Sequence, residues 1–184
     1  MQSPGLSPGR FLLCFHGRMS SASVRAATAG DIPAITRIYG YAVKHGTASF
    51  ELEPPDEAEM AHRMQTLLDG GYPYFVAETD GALVGYAYAG PYRPRPAYRW
   101  SVEDSVYVAP ALQRRGVGRT LLDRLVADAE QRGFRQMIAV IGDSAQTASI
   151  ELHRAAGFHM IGTVENVGHK FGRWLDVVLM QKLL

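Results

Sequence analysis

The chain has 184 residues, with 19 Lys and Arg against 18 Asp and Glu, 47% hydrophobic and 20% charged, the size and composition of one domain with its own core. A net charge of +1 excludes a surface dedicated to nucleic acid or an anionic membrane, because neutralising phosphates takes a concentrated positive field. The single cysteine, Cys14, excludes an intramolecular disulfide framework and a cysteine metal cluster, and no apolar run approaches the ~20 residues that span a bilayer. These features point to the cytoplasm.

Residues 1–23 carry Ser3-Pro4-Gly5, Ser7-Pro8-Gly9 and Ser20-Ser21-Ala22-Ser23, and predict a disordered extension ahead of a domain over 24–184. Their apolar patch, Phe11 to Phe15, is shorter than the ~7–15 residues of a secretory core. Met19 stands just before the first patterned segment and is an alternative start of translation, which the intact mass of the native protein decides. Val24 to Ala27 reads as a strand. Thr28 or Asp31 then caps a helix with Pro33 in its first turn, Ile32, Ile35, Ile38, Tyr39, Ala42 and Val43 at helical spacing, and Gly46 at its end. After Pro54-Pro55, Asp56 to Leu68 forms a second amphipathic helix closed by Gly70-Gly71.

Tyr74 to Glu78 and Leu83 to Ala89, flanking Thr79-Asp80-Gly81, predict a hairpin. The loop Arg93 to Pro96 leads into a long strand, Arg99 to Val108. A helix over Gly116 to Arg132, a buried strand over Met137 to Ile141 and a helix over Thr147 to Ala156 follow, the last stopped by Gly157. Strands Gly162 to Val167 and Trp174 to Lys182 finish the chain. The order βααβββαβαββ predicts an α/β domain, a mixed sheet with helices on its faces.

The chemistry starts where the strand ending Val106-Tyr107-Val108 leads through Ala109-Pro110 into Gln113-Arg114-Arg115-Gly116-Val117-Gly118-Arg119 and a helix. Gly116 and Gly118 let the backbone approach an anion, the first-turn amides lack intrahelical acceptors, and the helix dipole favours negative charge by about 0.3–1 kcal/mol. With Arg114, Arg115 and Arg119 as countercharge, the segment reads as a pyrophosphate cradle. The Lys-Ser/Thr ending of a Walker loop and the third glycine of a dinucleotide fingerprint are both missing.

Gln113-Arg114-Arg115-Gly116-Val117-Gly118 resembles the Gln/Arg-x-x-Gly-x-Gly/Ala signature of the GNAT superfamily of acyl-CoA-dependent N-acyltransferases. Three further segments resemble its phosphinothricin and methionine sulfoximine acetyltransferase branch: Gly46 to Glu51, Trp100 to Val108, and Gly168 to Asp176. The resemblance spans 24–184 and implies a mostly antiparallel central sheet flanked by helices, a homodimer, and no metal. It implies acetyl-CoA as co-substrate, with the backbone of a bulged strand at Val106, Tyr107 and Val108 pairing with the pantetheine arm. Arg114, Arg115, Gly116, Val117, Gly118 and Arg119 then hold the pyrophosphate. Gln146 stands where the family often has asparagine, and Ser149 is a further cofactor contact or a plain helix-surface serine.

The implied reaction is direct attack of a small-molecule amine on the thioester. Glu103 occupies the position of the proposed general base. An ordinary Glu near 4.3 lies far below an alkylammonium near 10, so it serves only if burial raises its pKa or if it orders a relaying water; the other reading is a structural ion pair. His153 stands at the slot of the acid that protonates the thiolate, or packs as a helix histidine beside the cofactor. Tyr107 reads as an oxyanion or thiolate donor, or as core. The resemblance places Phe50 and Glu51 on one wall of the amine site, Tyr98 and Arg99 on a second, and Lys170 with Phe171 on a third. Arg99 is a candidate carboxylate clamp, whereas Arg93 and Arg95 read as solvated charges. His45, His62 and His159 show no metal-ligand spacing.

The expected function is N-acetylation of a small amino acid or analogue of the phosphinothricin or methionine sulfoximine and sulfone type. The alternatives are acetylation of a peptide N-terminus or polyamine, against which the basic Arg99 and Lys170 argue, and a non-catalytic acyl-CoA-binding module, which would not need Glu103.

Overall fold

A computed structural model describes residues 22–184. The predicted extension therefore lies outside the described residues except for Ala22 and Ser23, as do Cys14 and Met19. The elements are β1 (Ser23–Ala26), α1 (Ile32–His45), α2 (Glu57–Asp69), β2 (Tyr74–Thr79), β3 (Ala82–Pro91), β4 (Ser101–Val108), α3 (Val117–Gln131), β5 (Gln136–Gly142), α4 (Thr147–Ala155), β6 (His159–Lys170) and β7 (Arg173–Leu183). Their order is the predicted one. They build one seven-stranded sheet, β1-β2-β3-β4-β5-β7-β6, antiparallel everywhere except between β4 and β5. The parallel pair is joined through α3, as a parallel connection requires.

Local chemistry explains the boundaries. The Asp31 carboxylate accepts the Thr28 N–H at 2.8 Å and closes the 3-10 turn Ala29–Asp31 that leads into α1, while the Asp56 carboxylate accepts the Glu59 N–H at 2.8 Å and caps α2. The sheet is covered on both faces, and strand alternation assigns each side chain to one of them. Ile35, Val43, Met60, Met64, Val76 and Tyr86 form the core under α1 and α2. Val102, Leu121, Leu122, Leu125, Met137 and Met180 form the core under α3. On β4 this alternation sends Val102, Val106 and Val108 towards the α3 side and Tyr107 towards the α1 side.

Three sequence expectations are corrected. β4 starts at Ser101 rather than Arg99, because Pro96–Tyr98 make a 3-10 turn that the Arg99 N–H closes on the Pro96 carbonyl at 3.1 Å. β4 is not bulged against β3; their register runs from Gly85↔Val108 to Pro91↔Val102 without a shift. The irregularity lies on its other side, where β4 leaves β5 after Asp104↔Ala139. Finally, β6 is twice as long as the predicted Gly162 to Val167, and its pairing with β7 shifts register at Met160/Gly162 and at Val164/Gly168. Bulges on an edge strand break the two-residue alternation by which a strand is recognised in sequence.

Candidate active site

The parting of β4 from β5 is the geometric centre of the site. Four residue pairs, Ser101↔Gln136 to Asp104↔Ala139, hold the strands together; beyond them Ser105 to Val108 pair only with β3. A cavity of about 60 Å³ occupies the notch, lined by residues of both strands and by Gln146, Ser149 and His153. A cleft of about 560 Å³ adjoins it and shares Ala48, Val106, Tyr107, Gln146 and Ser149 with it. One wall of the cleft is α1, with Ile38, Tyr41, Ala42 and His45; the other is the start of α3 and α4.

Nine of the eleven residues assigned to the cofactor line this cleft: Val106, Tyr107, Val108, Arg114, Gly116, Gly118, Arg119, Gln146 and Ser149. Gly116 has φ +85°, which an L side chain adopts only with strain, and Arg114 beside it has φ +60°. This tight loop delivers the first amides of α3 to the cleft. Arg119 is already engaged: its Nε donates to the Asp123 carboxylate at 2.7 Å, and a terminal nitrogen donates to the Ala155 carbonyl at 2.8 Å, tying α3 to the end of α4. Val117 is buried in the core, so it contributes backbone only. Arg115 lies in the loop just before Gly116. The cleft fits an acyl-CoA in three respects: an unpaired stretch of strand, helix-start amides, and room between two walls.

Glu103 sits on β4 opposite Gly90, one residue before the strands part. Burial, reinforced by the neighbouring charge of Asp104 and opposed by Arg93, pushes its carboxyl up to about 7. Asp104 projects to the other face, towards α4. There its Oδ2 lies 2.9 Å from His153 Nε2, both side chains being buried, while His153 Nδ1 donates to the Ser149 carbonyl at 2.7 Å. Burial alone would depress the imidazole pKa; the Asp104 hydrogen bond and charge, with the Ser149 carbonyl, raise it. Both ring nitrogens of His153 are thus engaged. Tyr107 stacks on Tyr86 at 5.2 Å and meets Tyr39 edge-on at 5.0 Å, and burial drives its hydroxyl well above the usual range.

The segment after α1 gathers much of the expected amine wall. The Phe50 ring rests on the backbone of β5 and β6: a Cβ at Gly142 would come within 2.8 Å of it, and one at Gly168 would overlap it outright. Glu51 Oε1 accepts from Tyr39 Oη at 2.9 Å and from Arg63 at 2.6 Å. Buried Lys170 donates from Nζ to the Ser49 carbonyl at 2.7 Å, lies over the Phe171 ring, and has its pKa lowered by burial. Phe171 itself is exposed in the β6–β7 turn with φ +54°. Tyr98 and Arg99 precede β4, where Tyr98 meets Tyr92 edge-on and the Arg99 guanidinium lies over the Trp100 ring. Their contacts are with that loop and not with the Thr47–Glu51 segment.

Sequence reasoning missed Asp104, Tyr39, Thr47 and Asp143. Asp104 had the one available signal, a second carboxylate beside Glu103 on a strand that alternates between faces. Thr47 and Asp143 meet across 96 positions and Tyr39 reaches Ser49 and Glu51 from a helix stripe that reads as core, so neither relation leaves a local pattern.

The fold and this site define an acyl-CoA-dependent transferase. The family model "Acetyltransferase (GNAT) family" matches residues 37–158, and the chain belongs to that family; it is an N-acetyltransferase. It is 56% identical over 164 residues to phosphinothricin N-acetyltransferase of Alcaligenes faecalis, covering 89% of this chain and 83% of that protein. It is 42% identical over 162 residues to the L-methionine sulfoximine/L-methionine sulfone acetyltransferase of Pseudomonas aeruginosa, covering 88% and 94%. The crystal structure of a phosphinothricin acetyltransferase from Sinorhizobium meliloti in complex with AcCoA superposes with a TM-score of 0.87 at 49% identity, covering 90% of this chain and 89% of that one.

Proposed function

We propose that the protein acetylates the amine of a small amino acid or analogue, of the phosphinothricin or methionine sulfoximine and sulfone type, with acetyl-CoA as donor. The observation that carries this reading is the placement of Glu103 beside the point where β4 parts from β5, with the cradle at the end of the same strand. The similarity to relatives named for these substrates supports the substrate class.

Acetyl-CoA supplies the thioester carbonyl that the amine attacks and the thiol that leaves. The chain's residues have three tasks: seating the donor, taking the amine's proton, and balancing charge at the notch. Val106 to Val108 present the unpaired edge of β4, and Gly116, Gly118, Arg114 and Arg115 form the cradle. Glu103 takes the proton. At about 7 its carboxyl lies much closer to an alkylammonium near 10 than an ordinary Glu does, so proton transfer is a few hundredfold less unfavourable. His153 acts as fixed charge, since its Nδ1 proton is committed to a carbonyl and its Nε2 faces a carboxylate. Phe50, Glu51 and Lys170 shape the amine wall, and Arg99 is the carboxylate clamp.

The enzyme works as a homodimer in the cytoplasm, where acetyl-CoA is available. The edge strand β6 and its hairpin expose Met160, Ile161, Val164, Val167 and Trp174, an apolar strip that a second copy would cover. Among the described residues no helix is long and apolar enough to cross a membrane.

The test is thiol release from acetyl-CoA with phosphinothricin, methionine sulfoximine, methionine sulfone, ordinary amino acids, spermidine and a short peptide. Saturable turnover on the first three is the expected result. Turnover confined to peptide or spermidine overturns the substrate class, and CoA binding without turnover on any amine overturns the reaction.

A further inference from the structure

Gln146 faces both the large cleft and the notch, yet its side-chain amide is not directed only at them: Nε2 donates to Thr47 Oγ1 at 3.1 Å. Thr47 in turn donates its hydroxyl proton to Asp143 Oδ2 at 2.9 Å. The direction of this chain is fixed, because a carboxylate only accepts and a hydroxyl has a single proton to give. Asp143 is buried in the left-handed region, at φ +72°, which is strained for a residue with a side chain. Its carboxylate also takes the Ala145 N–H at 3.1 Å and an Arg173 guanidinium N–H at 2.5 Å. Burial would push its pKa up, but these hydrogen bonds hold it below the usual range. Three separate segments therefore meet at one carboxylate: the loop after α1, the β5–α4 turn, and β7.

The loop after α1 carries the amine wall. Two and three residues beyond Thr47, Ser49 is held through its carbonyl by Lys170 and Phe50 rests on Gly142 and Gly168. Gly46 and Ala48 of this loop line the cofactor cleft directly, and between them Thr47 adds a hydrogen-bonded link from Gln146, at the start of α4, to the part of the loop that lines the amine site. We propose that Thr47 and Asp143 are positioning residues that couple the two: filling the cleft immobilises Gln146, and the Gln146–Thr47–Asp143 chain passes that order to residues 49–51, which do not line the cleft. Neither residue touches the reacting atoms. Linkage makes the effect mutual, so an ordered loop also favours occupancy of the cleft. The coupling rests on the acetyl-CoA reading of the cleft, but not on the identity of the amine.

Amide hydrogen exchange of the full chain with and without CoA tests this without any amine. CoA is expected to slow exchange at Gly116 to Arg119 and, by about tenfold, at residues 49–51. Thr47→Val, which keeps the shape and removes both hydrogen bonds, should retain the protection at Gly116 to Arg119 and lose it at 49–51. Thr47→Ser, which keeps the hydroxyl, should restore it. In turnover assays Thr47→Val should raise the KM for methionine sulfone about tenfold, with kcat within about twofold of the parent. Equal protection of 49–51 by CoA in the parent and in Thr47→Val overturns the coupling, as does a parent in which CoA leaves 49–51 unprotected. Absence of protection at the cradle itself overturns both the coupling and the acetyl-CoA reading.

Discussion

His153 is held at both ring nitrogens, by the Asp104 carboxylate at 2.9 Å and by the Ser149 carbonyl at 2.7 Å, in a site where the Asp104 and His153 side chains are 2% and 5% exposed. A carbonyl only accepts, so Nδ1 carries a proton; Nε2 must then carry a second if Asp104 is ionised, making the ring an imidazolium. The edge of the Phe158 ring packs against it at 5.1 Å. The acid role suggested by the position of His153 requires a ring proton free to move to the thiolate. Here each proton already has a buried acceptor.

Removing one partner of this pair leaves the other buried without compensation. Asp104→Asn is expected to cost about 3 kcal/mol of folding stability near pH 6. The pH dependence follows from the raised folded-state pKa of His153. Stability from this group is complete below the unfolded value near 6.5 and is lost as pH rises through the higher folded value. Urea unfolding from pH 6 to 9 should therefore show a difference between parent and Asp104→Asn that shrinks with pH. A difference constant across that window refutes the imidazolium.

Glu103 makes a second pH prediction, with a control in stability. As a base it acts ionised, so kcat/KM should rise through about pH 7, and Glu103→Gln should lower kcat by about 10²–10⁴. Its folded-state pKa is also raised, which favours the protonated form. That contribution is present below the ordinary value near 4.5 and is lost as pH climbs through 7. Glu103→Gln should then melt at a higher temperature than the parent at pH 8 and at a similar one at pH 4. An unchanged kcat removes Glu103 from the reaction, and an unchanged melting temperature at pH 8 removes the strained carboxylate.

The order of elements and the cradle were legible in the sequence because both are local. Helix stripes such as Leu121, Leu122 and Leu125, the Asp80-Gly81 turn, and glycines between a strand and a helix are written in short windows. Glu103 was singled out through the family resemblance, which puts a proposed base on the strand before the cradle. What could not be read were relations between distant segments: that β4 would part from β5 after Asp104, that Asp104 would meet a histidine 49 positions later, and that Thr47 would meet Asp143. Strand alternation places Asp104 on the face opposite Glu103, but only the docking of α4 supplies its partner. The length of β6 was lost for a different reason, since Gly162, Asn166 and Gly168 interrupt its alternation at the two register shifts.

The seat of Phe50 is open only because Gly168 and Gly142 lack side chains. Gly168→Ala should expel the ring from its position, at about 1–3 kcal/mol of stability, and raise the KM for the amine about tenfold while leaving the KM for acetyl-CoA within about twofold. The decisive comparison is a double-mutant cycle. If the effect runs through Phe50, Gly168→Ala added to Phe50→Ala should change the amine KM little further. Additive effects would place the role of Gly168 elsewhere in the β6–β7 hairpin.

The apolar strip on β6 sets the last prediction. β6 pairs with β7 on one side only, so its outer edge offers unpaired backbone groups beside Met160, Ile161, Val164 and Val167. Trp174, opposite His169 in the hairpin, is 63% exposed, and its ring meets His169 at 5.1 Å. A monomer would leave this surface in water, where an apolar edge strand invites pairing with any other strand. In a dimer formed through this hairpin, Val167→Lys combined with Trp174→Glu would bury both charged side chains against the second copy. Because both side chains point away from the core, the protomer should still fold, and unchanged far-ultraviolet circular dichroism checks that it does. Light scattering should then read half the mass of the parent. An unaltered dimer mass would move the interface off this hairpin, and a monomeric parent would remove the dimer.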